Sequence, residues 1–135
     1  MVGDQSSNPV PAGLVVAAVD DDCRVRESIE SLVASAGYVP LIFASAEEFL
    51  QSGAPATAIC LITDVRMPGI DGLELQRLVR LQHPHLPVIF ISAHCDDEIR
   101  QRAISEGAVD FLHKPFDAAD LLGAIELTVN RFSED

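Results

Sequence analysis

Short apolar segments alternate with longer amphipathic stretches along this chain, and this alternation constrains the fold more than any other feature. Five of the apolar segments have the length of a strand, and their nearly continuous apolar character is typical of strands covered on both faces. They span residues 14–19, 39–43, 58–63, 87–92 and 109–113. The alternation predicts an α/β domain built from five strand–helix units.

The stretches between the predicted strands carry the residue spacing of helices. Apolar residues recur on one helix face between Val25 and Ala36, where Gly37 ends the pattern, and Ser45 with Glu48 has the spacing of a capping box. Connections of this length make neighbouring strands parallel with right-handed crossovers, so a doubly wound sheet with helices on both faces is predicted. The remaining helices are predicted over residues 73–81, from Asp96 or Asp97 to about Glu106, and after Asp117.

The chain is predicted to form one folded domain with short ends. Its 135 residues fit a single domain of common size. Residues 1–13 combine Pro, Gly, Ser and Asn without periodicity and are predicted to be a flexible N-terminal lead. The folded domain is predicted over residues 14–132, followed by a C-terminal tail at 133–135.

The chain is strongly acidic, with 21 Asp and Glu against 9 Lys and Arg and a formal net charge of −12. Such a surface repels nucleic-acid backbones and anionic lipid headgroups, so direct binding to nucleic acid or membrane is not expected. No apolar stretch reaches the length of a membrane span, and no basic signal segment precedes Arg24. Cys23, Cys60 and Cys95 are widely spaced and form no CxxC pair, which favours a reducing, cytoplasmic location.

Polar side chains stand at the ends of four of the five predicted strands. The acidic run 20–22 follows the first strand, Asp64 follows the third, Ser92 ends the fourth, and Lys114 follows the fifth. Lys114 is also the only lysine of the chain. Open α/β sheets bind ligands in the crevice beyond the carboxyl ends of their strands, so these groups are predicted to form one site.

The acidic residues at the strand ends are suited to a metal site. Carboxylates gathered at the end of a sheet raise one another's pKa, and a divalent cation removes that penalty. Mg²⁺ prefers one or two carboxylates, a carbonyl oxygen and waters, so a magnesium site is predicted around Asp20, Asp21 and Asp64. The alternative is that the acidic run only caps the first helix, which is the role predicted for Asp22. A carboxylate beside Mg²⁺, with a lysine and a hydroxyl opposite, is the equipment for phosphoryl transfer to that carboxylate.

Five segments of the chain combine into a specific pattern. They are VDDD at 19–22, SAEEFL at 45–50, TDVRMPGIDG at 63–72, FISAH at 90–94 and GAVDFLHKPF at 107–116. With these segments the chain resembles the response-regulator receiver domain, the CheY-like fold, and is most similar to its FixJ-type branch. The resemblance extends over residues 14–131. It implies a five-stranded parallel sheet in the order 2-1-3-4-5.

The resemblance also implies a metal-dependent phosphoacceptor. By this likeness Asp64 accepts the phosphoryl group and binds Mg²⁺ together with Asp21 and the main-chain carbonyl of Arg66, while Asp20 acts through a water. The implied phosphodonor is a sensor histidine kinase or a small phosphorylated molecule. The domain then catalyses only its own phosphorylation and dephosphorylation and is not otherwise an enzyme.

The signalling residues implied by the resemblance are Ser92, Lys114 and Phe111. Ser92 and Lys114 grip the phosphoryl group, and Phe111 is the aromatic switch that turns inward when Ser92 is drawn to the phosphate. The fourth and fifth predicted helices and the fifth strand report the change, by homodimerisation or by release of an output module. The FixJ-type likeness implies transcription regulation through a DNA-binding domain that this chain does not contain.

The sequence leaves alternatives open. One alternative to a regulator with a separate output domain is a stand-alone receiver. Another is a pseudo-receiver that keeps the fold as a phosphorylation-independent interaction module. A phosphatase with an aspartyl intermediate is disfavoured, because such enzymes usually need an acid two residues beyond the nucleophile, where this chain has Arg66. Cys95 and His113 depart from the FixJ-like pattern, but neither a redox role nor a histidine metal site is supported by a standard spacing.

Overall fold

The computed structural model describes residues 13–93 and 96–134, with side chains described as far as residue 130. The predicted lead therefore lies outside the described residues except for Gly13, as do Cys95 and the neighbouring His94. The predicted tail at 133–135 overlaps the last helix, which runs to Glu134.

Five parallel strands form one sheet in the order β2-β1-β3-β4-β5, which confirms the predicted fold class. Each strand lies within one residue of its predicted bounds, because the apolar runs that cross a buried sheet are clearly delimited by polar residues. The strands are β1 Val15–Val19, β2 Val39–Phe43, β3 Ala58–Asp64, β4 Val88–Ser92 and β5 Asp110–His113.

Within the described residues six helices connect and flank the strands, one more than predicted. The additional helix is a single turn with a proline in its first turn, too short to show helical periodicity in the sequence. Asp22 is an N-cap as predicted, since its side chain accepts a hydrogen bond from the Arg24 amide. The helices are α1 Cys23–Ser35, α2 Ala46–Gln51, α3 Ala54–Thr57, α4 Gly72–Gln82, α5 Asp97–Ser105 and α6 Ala118–Glu134.

Two apolar cores cover the two faces of the sheet. Alternate residues of β1 point to opposite faces: Ala17 and Val19 pack with α2, α3, α4 and α5, whereas Val16 and Ala18 pack with α1 and α6. This sandwich fixes the strands rigidly and leaves their carboxyl ends open along one rim of the domain. No helix within the described ranges combines the length and apolar character of a membrane span.

The edge strands differ from the prediction that every strand is covered on both faces. β3 and β4 are almost fully buried, but Val39 and Leu41 of β2 are 41% and 36% exposed, and β5 is only half-buried. Each edge strand has a neighbour on one side only, and the helices cover the centre of the sheet more fully than its margins. Apolar sequence alone therefore did not distinguish central strands from edge strands.

The two cysteines that the structure describes, Cys23 and Cys60, differ sharply in accessibility, and this predicts selective alkylation. Cys60 is fully buried in β3, and burial is the main influence that raises the pKa of its thiol to about 12, whereas Cys23 is exposed. We expect iodoacetamide at pH 8 to modify Cys23 in the native protein and to leave Cys60 intact, as read by peptide mass spectrometry. Both thiols should react in 8 M urea as the control, and rapid native labelling of Cys60 would contradict the buried assignment.

Candidate functional site

Three carboxylates meet where β1 and β3 end side by side. Val19 pairs with Thr63 in the register of the two strands, so the next residues, Asp20 and Asp64, emerge together at the rim. Asp20 is fully buried and Asp64 is 8% exposed, while the adjacent Asp21 is exposed. One oxygen of each carboxylate lies within 4.8 Å of the others, and within the described part of the chain this is the only such cluster of three or more candidate metal ligands.

Lys114 joins this cluster from the end of β5. Its Nζ lies 2.9 Å from Oδ2 of Asp20 and 3.1 Å from Oδ2 of Asp64, and its side chain is only 15% exposed. The three residues are far apart in the sequence, so the fold alone creates the contact. The Lys114–Pro115 peptide bond is cis.

The electrostatics of the cluster follow from burial and from this one ammonium group. Burial is the largest influence on Asp20 and raises the pKa of its carboxyl, although the Lys114 ammonium and the Asp22 amide oppose the shift. Desolvation disfavours the charged form of Lys114, but its hydrogen bonds to Asp20 and Asp64 outweigh that effect and raise its pKa. Lys114 is therefore charged at neutral pH and joins the two carboxyl groups through its hydrogen bonds.

Ser92 and Phe111 lie on the neighbouring strands β4 and β5. Ser92 ends β4 and is 3% exposed, and its main-chain oxygen accepts a 2.7 Å hydrogen bond from the Lys114 amide. Phe111 is half-buried in β5, with its ring centroid 6.0 Å from that of Phe90. The predicted site residues at the strand ends are thus brought to one edge, whereas Phe111 lies within β5, three residues before Lys114 and paired with Phe90.

The loop after β1 is tied to the first turns of α1. Oδ1 of Asp20 accepts a 2.9 Å hydrogen bond from the Asp22 amide, and the Arg26 guanidinium donates to the main-chain oxygen of Asp20 at 2.8 Å. Arg26 was not among the residues that the sequence singled out. Its position near the start of a predicted helix does not indicate that its side chain contacts the end of β1.

The loop after β3, which carries the exposed Arg66, is fixed at two points. The Gly72 amide donates to the main-chain oxygen of Val65 at 2.8 Å, and the Ile70 amide donates to Oε2 of Glu47 at 3.2 Å. Gly72 lies so close to the end of β3 that a Cβ there would overlap the main-chain oxygen of Asp64. Glu47 and Gly72 are further residues that support the site and that sequence reasoning missed as contributors to it.

The donor set suits a hard divalent cation. Carboxylates are the protein ligands that Mg²⁺ and Ca²⁺ favour, and buried carboxylates this close together are costly without a cation or a proton. His113 does not join the cluster: it is exposed, and its Nδ1 lies 2.8 Å from the main-chain oxygen of Lys114. Cys95 and His94 lie outside the described residues. The three carboxylates of the cluster could hold a metal ion without a histidine ligand from His113.

The fold and the site together define a CheY-like α/β domain with an acidic pocket at the carboxyl edge of its sheet. The family model of the response regulator receiver domain matches residues 16–126. The chain belongs to this family, the receiver domains of two-component response regulators.

The relatives of the chain include transcriptional regulators. It is 41% identical over 125 residues to the transcriptional regulatory protein FixJ of Azorhizobium caulinodans, which covers 93% of this chain and 59% of that protein. It is 46% identical over 111 residues to the response regulator protein TmoT of Ectopseudomonas mendocina, covering 82% of this chain and 50% of that protein. The chain thus spans about half the length of these curated relatives.

Solved structures agree in fold. A response regulator receiver domain protein from Clostridium thermocellum superposes with a TM-score of 0.84 at 30% identity, covering 89% of this chain and 97% of that one. Full-length FixJ from B. japonicum superposes with a TM-score of 0.80 at 34% identity, covering 90% of this chain and 60% of that one.

Proposed function

We propose that this domain is a phosphorylation switch in which Asp64 accepts a phosphoryl group in the presence of Mg²⁺. The observation that carries the proposal is the convergence of Asp64 with two further carboxylates and the only lysine of the chain at the open rim of the sheet. Of the two carboxylates that bond Lys114, Asp64 is the one that retains some exposure, 8% against 0% for Asp20. The phosphodonor is a sensor histidine kinase or a small phosphorylated molecule, acting in the cytoplasm.

The proposed metal ligands are Asp21, Asp64 and the main-chain carbonyl of Arg66, with Asp20 acting through a water. Bound Mg²⁺ supplies positive charge that neutralises oxygens of the incoming phosphoryl group. Asp21 is exposed at the mouth of the cluster, whereas Asp20 is fully buried beneath it. This difference supports a direct role for Asp21 and an indirect one for Asp20.

The side chains that phosphoryl transfer needs, in addition to the metal, already stand at the rim. A carboxylate oxygen of Asp64 attacks the phosphorus, and the new O–P bond forms as the bond from phosphorus to the donor atom breaks, with its electron pair leaving on the donor. Lys114 moves its hydrogen bond from Asp64 to the phosphoryl oxygens, and the Ser92 hydroxyl donates to another. Arg66 stands where aspartyl phosphatases carry a second acid, so the domain turns over only its own acyl phosphate.

The proposed switch runs from Ser92 to Phe111. Movement of Ser92 toward the phosphoryl group opens space beside β4, and the half-buried Phe111 ring, which now lies near Phe90, turns inward. The surface of α5, β5 and α6 carries this change by shifting a pre-existing equilibrium toward a homodimer or toward release of an output module. The names of the relatives support transcription regulation as the output of the parent protein.

A groove beside the site supports docking of the proposed kinase. Two adjoining cavities of about 540 and 330 Å³ lie between α1 and the loop after β5, and both are lined by Ser28 and Phe116. Val25 and Pro115 add apolar surface, and Lys114 lies at the end nearest the carboxylates. A helix of the partner seated there would bring its phosphorylated histidine to the rim.

The proposal is tested by incubating the protein with acetyl phosphate and following its intact mass. We expect a gain of one phosphoryl group with 10 mM Mg²⁺, no gain with excess EDTA, and loss of the added mass in neutral hydroxylamine, which cleaves acyl phosphates. An unchanged mass with Mg²⁺ would overturn the proposal and favour a pseudo-receiver. An equal gain of phosphoryl mass in EDTA would contradict the metal site. Dimer formation measured in the same samples tests the proposed output surface of α5, β5 and α6.

A further inference from the structure

We propose that Glu47, on α2, is a positioning residue for the metal site, because it holds the loop that carries the Arg66 carbonyl. The inference rests on the proposed function, in which that carbonyl is a metal ligand. Glu47 lies far from Asp64 in the sequence and joins a different element of the fold. It touches neither the phosphoryl group nor the metal in this proposal, and acts only through the loop after β3.

The contact that supports this role crosses 23 residues of sequence. Oε2 of Glu47 accepts a 3.2 Å hydrogen bond from the Ile70 amide, which lies near the end of the loop between β3 and α4, two residues before α4 begins. A carboxylate that accepts from a backbone amide makes a charge-assisted hydrogen bond, about twice as strong as a neutral one. The bond therefore restrains the second half of the loop, four residues beyond Arg66, while the Gly72 amide holds its start through the main-chain oxygen of Val65.

The backbone of the loop is shaped to receive this carboxylate. Gly69 has a φ of 74°, and a Cβ added there would lie 2.5 Å from Oε2 of Glu47. A residue with a side chain would thus both strain the backbone and displace the carboxylate. The glycine immediately before Ile70 lets Glu47 reach the amide, so two features separated in sequence fit one contact.

Glu47 itself is held firmly. Ser45 caps α2 by accepting a 3.1 Å hydrogen bond from the Glu48 amide, and Ala46 and Phe49 on either side of Glu47 are fully buried. The main chain at Glu47 is therefore held in place and does not move with the loop. Loss of the bond is expected to let the Arg66 carbonyl move away from the carboxylates and to weaken metal binding.

The matched control is the neighbouring glutamate. Glu48 lies in the same turn of α2 and carries the same charge, but its carboxylate accepts a 3.3 Å hydrogen bond from the Ala44 amide, which follows β2, instead of one from the loop. Glu48→Ala therefore removes one negative charge near the site without releasing the loop. Glu47→Gln removes the charge and keeps an acceptor oxygen, which separates the hydrogen bond from long-range electrostatics.

The test measures Mg²⁺ affinity by NMR titration and the hydrogen-exchange rate of the Ile70 amide in Mg²⁺-free protein. Groups that orient metal ligands typically change metal affinity by about 10–100-fold when removed. We expect Glu47→Ala to weaken Mg²⁺ binding about tenfold and to speed exchange at Ile70, Glu47→Gln to have a smaller effect on both, and Glu48→Ala to resemble wild type.

Two results would overturn the inference. The first is that Glu47→Ala and Glu48→Ala bind Mg²⁺ with equal affinity. The second is that Glu47→Gln and Glu48→Ala lose the same amount of Mg²⁺ affinity while the exchange rate of the Ile70 amide stays unchanged, since only a charge effect would then remain. Failure of the proposed function looks different, since wild type itself would then bind no Mg²⁺. Should Glu47→Ala fold poorly, the comparison of Glu47→Gln with Glu48→Gln decides the question.

Discussion

Replacing Asp64 by asparagine is expected to abolish phosphoryl uptake from acetyl phosphate while leaving the domain folded. The amide is neutral and lacks the anionic oxygen that attacks phosphorus, and it is also a weaker metal ligand than a carboxylate. The volume of the side chain hardly changes, and Lys114 keeps its 2.9 Å bond to Asp20. The substitution is therefore expected to leave the fold unchanged.

The control for this variant is Asp22→Asn, at the N-cap of α1. Asp22 caps α1 through the Arg24 amide, and asparagine is nearly as good an N-cap. This variant loses one carboxylate near the site but should gain phosphoryl mass like wild type. Intact mass with Mg²⁺ and circular dichroism are measured for both variants. Phosphoryl uptake by Asp64→Asn at the wild-type level would show that another residue is the phosphoacceptor.

Gly72→Ala is expected to cause the second large effect, a loss of stability together with impaired phosphorylation. A Cβ at this position would overlap the main-chain oxygen of Asp64 and lie 2.9 Å from Cα of Val65. Both obstacles are backbone atoms of the buried end of β3, which cannot rotate away as a side chain could. Overpacking of this kind costs about 3 kcal/mol, and relief requires movement of the strand end that presents Asp64.

Gly123→Ala in α6 provides the matched control. Gly123 is exposed, and a Cβ there would meet nothing within 4 Å. Alanine in an exposed helix position is expected to raise the free energy of unfolding by about 0.5–1 kcal/mol. Urea unfolding measured for the two variants separates the effects, and a Gly72→Ala protein as stable and as readily phosphorylated as wild type would show that α4 need not lie against β3.

Many elements of the domain could be predicted because their signals are local. The strands β1, β3 and β4 cross a buried sheet, and runs such as Ile59–Ile62 are apolar for that reason alone. Asp22 and Ser45 were recognised as helix caps because a cap and its amide lie within three residues of each other. The strand-end residues Asp20, Asp64 and Lys114 could be grouped because the carboxyl ends of parallel strands share one edge.

Other elements could not be predicted, and most of them depend on the distance between separate segments. The exposure of Val39 and Leu41 follows from the place of β2 at the margin of the sheet, which its composition does not reveal. The one-turn helix α3 is too short to carry a period. The contact of Glu47 with Ile70 and the close approach of Gly72 depend on how α2 and α4 lie against β3.

The sequence by itself determined the class of fold, the five strands and the polar residues at their ends, because hydrophobic periodicity and capping act over a few neighbouring residues. The tertiary structure alone decided that one ammonium, on Lys114, bridges Asp20 and Asp64, and that Glu47 and Gly72 hold the loop beside them. Those contacts join positions 23 to 94 residues apart, or require atomic clearance between backbones. Only the packed arrangement of helices on the sheet sets such distances.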